Sequence, residues 1–244
     1  MNLAERQILS IDWNTIIGVF MQIDWNAVLA ITTIIIAIIA LFQDKIHNWF
    51  YHPTLKVTMT LSPPDCLIVP SKDDKGVTIS DVYYFRLRVE NTGNIKAESV
   101  EVYANELREY KYGKFEIIQT FLPMNLKWSY TGNIFFLLNP KMKKHCDIFH
   151  VYDPEKRPQI RNENISFENV DSKKTILSID TFVKSNSYSH LYPFGKYELD
   201  IVISASNAKS VPRTLIIDLK NGEWDSNEEI MFRDNIEIQL KNKK

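Results

Sequence analysis

The sequence predicts a mainly β protein in three parts: an N-terminal interfacial helix over 1–24, one transmembrane helix over 25–50, and an immunoglobulin-like antiparallel β-sandwich over 51–244. Three observations carry this prediction: an uncharged apolar run near the N-terminus, period-two alternation of apolar and polar residues after residue 55, and turn residues between the alternating segments. Hydrophobic residues make up 45% of the 244, so the chain can bury a large core. Wholesale disorder is therefore excluded.

Composition excludes several classes of protein. The chain has 29 Lys and Arg against 30 Asp and Glu, so it is not a generally basic nucleic-acid protein. Seven glycines leave little room for Gly-rich phosphate loops. The two cysteines, Cys66 and Cys146, exclude a disulfide scaffold and a Cys-based zinc site. They fit either a reduced pair or one disulfide, so they do not decide the compartment.

The apolar run lies at Ala27–Phe42 and contains sixteen residues without a charge. It is slightly short for a span of about 20 residues, but aromatic residues extend it on both sides. Trp25 and Trp49 are separated by about 36 Å along a helix, which fits two interfacial aromatic belts, with Ile36 between them. Because the rest of the chain reads as strands, no partner helices are expected to bury this run. A membrane anchor in the lipid bilayer is predicted.

The segment before the span repeats the tetrapeptide IDWN, at 11–14 and at 23–26. A 4-3-4-3 spacing places one set of apolar residues on a single helical face: Leu9, Trp13, Ile16, Phe20 and Ile23. This pattern favours an amphipathic helix lying in the membrane interface. The alternative is a helix that packs on the main domain or on a copy of itself, which would make a homo-oligomer through the N-terminal helices. Asp24 and Asn26 are candidate N-caps of the spanning helix.

Basic flanks predict the orientation of the span. The N-terminal flank holds Arg6, whereas the C-terminal flank holds Lys45 and Lys56. The positive-inside rule then places the large domain in the cytoplasm, on a single-pass protein of the cell membrane. The late start of the apolar run and the absence of a basic region before it argue against a cleaved signal peptide.

The large domain alternates apolar and polar residues in many segments, the pattern of antiparallel strands with one buried face. Examples are the apolar positions of three segments: Phe85, Leu87, Val89; Val100, Val102, Ala104; and Leu199, Ile201, Ile203. About ten strands fit this template, with shorter ones near 66–69, 115–121, 134–138, 145–151 and 174–183. Asn-Thr-Gly-Asn at 91–94 and Asn221-Gly222 are hairpin signals, since positive φ costs these residues little. Two stacked sheets would bury these faces.

The segment YYFRLRVENTGNIKAESVEVY at Tyr83–Tyr103 resembles the strand–turn–strand unit of bacterial immunoglobulin-like domains of the CARDB type. The match covers 21 residues, and the two-part layout of the whole chain resembles that of membrane-anchored bacterial proteins. The resemblance implies a β-sandwich that acts in adhesion or binding, and such domains are usually extracellular, which opposes the predicted orientation.

Two groups of basic residues are candidates for binding an anion. Arg86 and Arg88 project from one strand face, and with Glu101 on a neighbouring strand they form either an ion-pair ladder or an anion-binding face. A second patch lies near Trp128 and Tyr130 and consists of Lys141, Lys143 and Lys144. Basic and aromatic side chains together suit single-stranded nucleic acid or a nucleotide, but equally a cytoplasmic membrane surface or a solvated loop.

Catalytic and metal chemistry is not predicted. The cluster from His145 to His150 lacks chelating spacing, since on a strand His145 and Asp147 would face away from Cys146 and His150. The chain has no Gly-x-Ser-x-Gly, Walker A or dinucleotide motif. We therefore expect no enzyme activity, no metal and no cofactor.

The sequence favours a membrane-tethered β-sandwich that recognises an unidentified protein or small ligand. The alternative is a membrane-bound antiphage effector of abortive-infection type, whose soluble domain senses nucleic acid or a nucleotide. The AT-rich composition and the two-part layout suggest that alternative by analogy only.

Overall fold

The computed structural model describes residues 24–73, 75–160, 163–167 and 170–243. The predicted interfacial helix over 1–24, with its suggested role in self-association, lies outside the described residues except for Asp24. Contacts divide the chain into two units, one ending at Phe50 and one beginning at Tyr51.

The described part of the first unit is a long helix, α1 (Trp25–Phe50), with its N-cap. The Asp24 carboxylate accepts hydrogen bonds from the backbone N–H groups of Asn26 and Ala27, at 3.0 and 3.3 Å. Asp24 is therefore the N-cap, and the other candidate, Asn26, lies inside the helix. The 19 residues from Trp25 to Gln43 are long and apolar enough to span a membrane, and none of this stretch is buried.

The second unit is a β-sandwich. In chain order its strands are β1 (Leu55–Thr58), β2 (Cys66–Lys72), β3 (Thr78–Asn91), β4 (Ala97–Lys111), β5 (Lys114–Ile117), β6 (Met124–Asn125), β7 (Lys127–Trp128), β8 (Phe136–Leu138), β9 (Lys143–Tyr152), β10 (Ile176–Ile179), β11 (Leu191–Pro193), β12 (Lys196–Ala205), β13 (Ala208–Leu219) and β14 (Ile236–Asn242). Short helical turns lie at Arg157–Gln159 and Lys220–Gly222, followed by α2 (Glu228–Ile230) and a π-helical turn (Met231–Asn235).

Two antiparallel sheets face each other. The first has the order β1-β3-β9-β10-β11, with β2 also beside β3 and β7 also beside β9. The second has the order β14-β13-β12-β4-β5, with β6 and β8 also beside β4. A mainly β chain, with an apolar helix followed by an antiparallel β-sandwich, is thus confirmed.

The core lies between the sheets and follows the predicted alternation. The nine apolar positions named above, from Phe85 to Ile203, are all fully buried. Its largest buried side chains include Trp128, Tyr83 and Tyr197, and the Phe85 and Phe149 rings stack at 4.3 Å. Burial of these faces is the main stabilising contribution of the sandwich.

The turn at 91–94 is not a hairpin, contrary to the sequence prediction. It joins β3 in the first sheet to β4 in the second, so the chain crosses between layers there. For the same reason Glu101 does not neighbour Arg86 and Arg88. Its carboxylate accepts hydrogen bonds from Asn125 and Ser204 on strands of the second sheet.

The predicted turn at Asn221-Gly222 has the expected backbone geometry, but it is not a short hairpin loop. Asn221 and Gly222 adopt φ of 53° and 66°. Strands β13 and β14 pair, yet the whole of 220–235 connects them.

A β-bulge in β9 corrects the predicted facing of its polar residues. Phe85 pairs with Phe149 but Arg86 pairs with Asp147, so Ile148 is an extra residue on β9. The insertion reverses the alternation beyond it. His150 therefore shares the outer face with His145 and Asp147, while Cys146 lies in the core.

Candidate functional site

Three segments meet at the end of the sandwich where the second unit begins, which we call the proximal end: 52–54, 91–96 and 139–142. Backbone N–H groups join them directly. Thr92 donates to the Thr54 carbonyl at 2.8 Å, and Lys141 donates to the Asn91 carbonyl at 2.7 Å. Asn91 donates in turn to the Met142 carbonyl at 3.1 Å. The first residues of the body are thus tied into its framework.

The Asn91 side chain fastens the proximal end. Its amide nitrogen donates to the carbonyls of Ile95 and Leu138, at 2.7 and 2.9 Å. Its amide oxygen accepts from the N–H groups of Thr54 and Gly93, at 3.2 and 3.0 Å. Asn91 itself is fully buried, and its bond to the Leu138 carbonyl lies out of water, where an unmade bond is expensive.

Gly93 shows how closely the segments approach. A Cβ at this position would lie 2.4 Å from the His52 carbonyl oxygen and 2.5 Å from the Thr54 nitrogen. Its backbone is not in the left-handed region, unlike four other glycines of the chain. The glycine is therefore required by the close approach of residues 52–54, and not by positive φ as the sequence suggested.

A mixed basic and apolar surface, the proximal rim, lies beside this junction and consists of Phe135, Leu137, Lys141, Met142 and Lys143. Phe135 is 56% exposed, Leu137 is 45% exposed and Met142 is 41% exposed. Lys141 is exposed at the turn, and the ammonium of Lys143 lies 3.8 Å from Glu90 with half of its side chain in solvent. The third predicted lysine, Lys144, places its ammonium 4.9 Å from the centre of the Phe136 ring.

Trp128, the predicted aromatic partner of the lysines, does not lie at the surface. Its side chain is fully buried and its indole N–H donates to the Ile134 carbonyl at 2.8 Å. A strand of only two residues, β7, carries it into the core. The ring cannot stack on a base in this position, and the exposed aromatics nearby are Tyr130 and Phe135.

Arg86 and Arg88 already have carboxylate partners on the outer face of the first sheet. Arg86 donates from Nε to Asp147 at 2.9 Å, and its guanidinium lies between the Tyr84 and Tyr130 rings at 5.3 and 5.4 Å. Burial raises the pKa of Asp147 even though Arg86 opposes the shift. Strand pairing therefore favours the ion-pair interpretation of Arg86 over an open anion site.

Arg88 and His145 share one buried acid. Arg88 Nη2 lies 2.8 Å from Asp65 Oδ1, and His145 Nε2 lies 3.0 Å from the same oxygen. Burial alone would raise the pKa of Asp65, but the hydrogen bonds from Arg88, Thr60 and His145 outweigh it and lower that pKa.

A buried ion cluster lies further along the same face and consists of His150, Glu163, Asp180 and Lys184. His150 Nδ1 is 3.0 Å from Asp180, and its Nε2 is 3.3 Å from Glu163, which also accepts from Lys184 at 2.8 Å. Burial would lower the pKa of His150, but the two carboxylates outweigh it and raise that pKa to about 9. The same contacts lower the pKa of Glu163 to about 2 against its own burial.

These groups are arranged to hold the fold and not to react. A protonated His150 has no lone pair with which to act as a base. Burial raises the pKa of the Cys66 thiol to about 12 and that of Cys146 well above its usual range, so neither forms a nucleophilic thiolate at neutral pH. Both cysteines are free. Across the part of the chain that the structure describes, no group of three His, Cys, Asp or Glu side chains is arranged to hold a metal.

The structure brings Lys141 and Lys143 to the same end of the sandwich as the exposed apolar side chains. Lys143, opposite Glu90, is two residues along the outer face from the pair of Arg88 and His145, whereas Arg86 lies further along the strand and Trp128 is in the core. Sequence reasoning missed Asn91 and Gly93 as clamp residues, although the Asn-Thr-Gly-Asn signal marked their position. It also missed Glu163 and Asp180, which no local pattern connects with His150.

Comparison with known protein families, with curated proteins and with solved structures finds no match to this chain.

Proposed function

We propose that this protein is a single-pass membrane-anchored β-sandwich that acts by binding a protein or small ligand and not by catalysis. One observation carries the proposal: an exposed apolar helix is followed within a few residues by a sandwich that buries its own core. In this proposal the helix holds the protein at the membrane, and the sandwich provides the surfaces that bind the partner.

The apolar helix needs an environment that the described residues do not provide. Its 19-residue stretch from Trp25 to Gln43 is about 28 Å long at 1.5 Å per residue, close to the roughly 30 Å of a bilayer core. The side chains of Ile34, Ile36 and Ile39 are all more than half exposed. Insertion of such residues into lipid is favourable at about 0.3–0.6 kcal/mol each. A bilayer therefore accounts for the length and for the all-round apolar surface.

The connection between α1 and the body is short. Residues 52–54 are bonded to the 91–94 turn, where His52 also donates its N–H to the Asn94 side chain at 3.0 Å. The ordered part of the body therefore begins within a few residues of the end of α1. A short tether confines the body to the membrane surface, which favours recognition of partners that reach or share that surface.

The surroundings of His150 and of the two cysteines support a binding role over a catalytic one. His150 has carboxylates on both ring nitrogens, and both cysteines are buried. An activated nucleophile needs an accessible side chain beside a base. Neither thiol meets that requirement.

Alkaline carbonate extraction of cell membranes tests the anchor. The full-length protein is expected to stay in the membrane pellet and to dissolve only with detergent. Ile36→Asp places a carboxylate at the centre of the span at a cost of about 3 kcal/mol, so a large part of that variant is expected in the carbonate wash. Ile36→Leu is the matched control and is expected to pellet like the wild type. Release of the wild-type protein by carbonate alone would contradict the proposal.

The proposal includes the cytoplasmic orientation, which Lys45 and Lys56 after the span support. Protease added to intact cells is expected to leave the body uncut and to degrade it once the cells are opened. Cleavage in intact cells would reverse the orientation. The effector alternative predicts depolarisation of cells on induction, and a membrane potential that never changes would favour the binding module.

A further inference from the structure

We propose that the proximal rim docks on anionic lipid headgroups of the leaflet from which the chain emerges. The inference rests on the proposed function, because it needs α1 to span the bilayer. It goes further by giving the sandwich a fixed face toward the membrane and by assigning the rim lysines a partner.

Chain length keeps the proximal end within reach of the bilayer. After Gln43, α1 continues for seven residues to Phe50, about 10 Å, which is enough to cross one headgroup layer. The four residues from Tyr51 to Thr54 then span at most about 14 Å when extended. Thr54 is hydrogen-bonded to the 91–94 turn, and that turn is bonded to Lys141 and Met142.

The chemistry of the rim fits a lipid interface. Phe135, Leu137 and Met142 are exposed apolar side chains at the same end of the sandwich as the exposed lysines Lys141 and Lys143. Headgroup phosphates attract the lysines, while the apolar side chains can enter the boundary with the acyl chains. Lys56 and Lys96 add exposed basic groups at the same end.

The exposed lysines at this end outnumber the acidic side chains that pair with them. Glu90 lies 3.8 Å from Lys143, and Glu98 pairs with Lys96 at 2.9 Å. Lys141 and Lys56 are not among the ion pairs of the described residues. The exposed positive charge that is left over therefore lies at the end where the chain enters a body whose total charge is close to zero.

The backbone holds Lys141 in a fixed position. Its φ is 65°, and its N–H and the Met142 carbonyl are both bonded to the buried Asn91. A lysine in an ordered turn loses less conformational freedom on docking than one on a mobile tail. A lipid surface fits the rim better than nucleic acid, because its three exposed apolar side chains can enter the membrane interface, whereas Trp128 is buried and Phe135 is the one aromatic ring among the five rim residues.

The experiment uses the full-length protein in nanodiscs of phosphatidylcholine alone or of equal parts phosphatidylcholine and phosphatidylglycerol. An environment-sensitive dye is attached at Met142→Cys, since Cys66 and Cys146 are buried. A spin-labelled headgroup quenches the dye when the rim is docked. Strong quenching is expected with phosphatidylglycerol. Weak quenching is expected in its absence or at high salt, because the Debye length falls to about 3 Å at about 1 M and the lysines are then screened from the headgroups.

Charge reversal of the rim supplies the sharpest comparison. Each lysine near an anionic surface is worth about fivefold in the docking equilibrium, so K141E/K143E is expected to reduce the docked-to-free ratio by at least about 25-fold. The matched control K111E/K114E reverses two exposed lysines at the opposite end of the sandwich and is expected to leave quenching unchanged. Thermal melting verifies that both variants are folded. A dye at Tyr112→Cys, on the same far hairpin, is expected to stay unquenched.

Several outcomes would overturn the inference. Equal quenching in both lipids, or quenching that survives K141E/K143E, would show that charge does not hold the rim to the membrane. An unquenched dye together with lysine-dependent binding of a single-stranded oligonucleotide would assign the rim to nucleic acid instead. Flotation with lipid separates the two proposals, because failure to enter nanodiscs contradicts the anchor, whereas an unquenched dye on inserted protein contradicts only the docking.

Discussion

A single missing side-chain atom allows the start of the body to pack against the turn between the sheets. At Gly93, an added methyl group would overlap the His52 carbonyl oxygen and the Thr54 nitrogen, both of which are backbone atoms that cannot rotate away. The glycine thus determines how the chain enters the sandwich.

Gly93→Ala is therefore expected to lower the free energy of unfolding by about 2 kcal/mol, the usual cost of forcing extra volume into a packed site. Chemical denaturation of the detergent-solubilised protein measures it. Gly132→Ala is the matched control, because nothing lies within 4 Å of the added Cβ there, and it is expected to be nearly neutral. A neutral Gly93→Ala would show that residues 52–54 are free to move off the turn.

His150 gives the fold a dependence on alkaline pH. The pKa of its imidazole rises from 6.5 to about 9 on folding, so the stabilisation is fully present below pH 6.5 and is lost as the pH rises through 9. The facing carboxylates of Glu163 and Asp180 would lose their shared cation. The phenols of Tyr84 and Tyr152, which pack on the ring, have raised pKa values and stay neutral in this range.

His150→Gln is expected to cost about 3 kcal/mol near pH 6.5, since it leaves two buried carboxylates with one lysine. Melting temperatures of wild type and variant, measured from pH 6 to 9.5, should converge as the wild type loses its extra proton. Lys196→Gln, at a surface pair with Asp218, is the control and should track the wild type. A gap that stays constant with pH would mean that His150 is neutral in the folded protein.

At the scale of elements, the alternation of apolar residues predicted which faces are buried but not how the strands connect. The nine alternating positions from Phe85 to Ile203 were placed correctly because a period of two depends only on neighbouring residues. The 91–94 turn was misassigned because its glycine serves a contact with residues about forty positions away. The bulge at Ile148 has no glycine to mark it, so the side on which His150 lies could not be predicted.

The β4–β5 hairpin carries a residue that its backbone disfavours. Tyr112 has φ of 51° and precedes Gly113 at 85°, in a two-residue loop between paired Lys111 and Lys114. A left-handed conformation costs a bulky residue roughly 1 kcal/mol, and Asn tolerates it better. The Tyr112 ring is 96% exposed, so little packing offsets that cost.

Tyr112→Asn is accordingly expected to raise the free energy of unfolding by about 0.5–1 kcal/mol. Tyr110→Asn provides the contrast, because the Tyr110 ring packs on Phe115 at 5.1 Å and its loss should destabilise the protein. Denaturant titration distinguishes the two. If Tyr112→Asn were destabilising, the exposed ring would have to contribute a contact to the fold.

At the scale of the whole molecule, the sequence shows the parts of the candidate site but not how the fold brings them together. The anchor was visible as an apolar run, and the lysines as a charged loop. Within the body, Asn91 joins the entering residues to the lysine loop: its side chain bonds to 54, 95 and 138, and its backbone bonds to 141 and 142. No local pattern encodes those contacts. Strand order in the two sheets is equally non-local, because pairing is set by long-range packing and not by the residues of one strand.

Because the chain divides at Phe50, the contribution of each unit to membrane association can be predicted separately. Residues 51–244 bury their own core, so this fragment is expected to fold with a melting temperature within a few degrees of the full-length protein. Two or three lysines at about 1 kcal/mol each, together with the exposed apolar side chains of the rim, are expected to give the free fragment a dissociation constant of about 1 mM for anionic vesicles. The tether supplies an effective concentration in the same millimolar range, so docking is appreciable only when α1 is inserted.

The fragment is therefore expected to stay in the supernatant when phosphatidylglycerol vesicles are sedimented at physiological salt, and to begin pelleting only at low salt. Phosphatidylcholine vesicles serve as the control and should not bind it at any salt. Submicromolar binding of the fragment would mean that its surface alone holds the protein to the membrane, and α1 would then be dispensable for location. An unfolded fragment would show instead that the sandwich depends on α1, against the self-contained core from which the tethered module is argued.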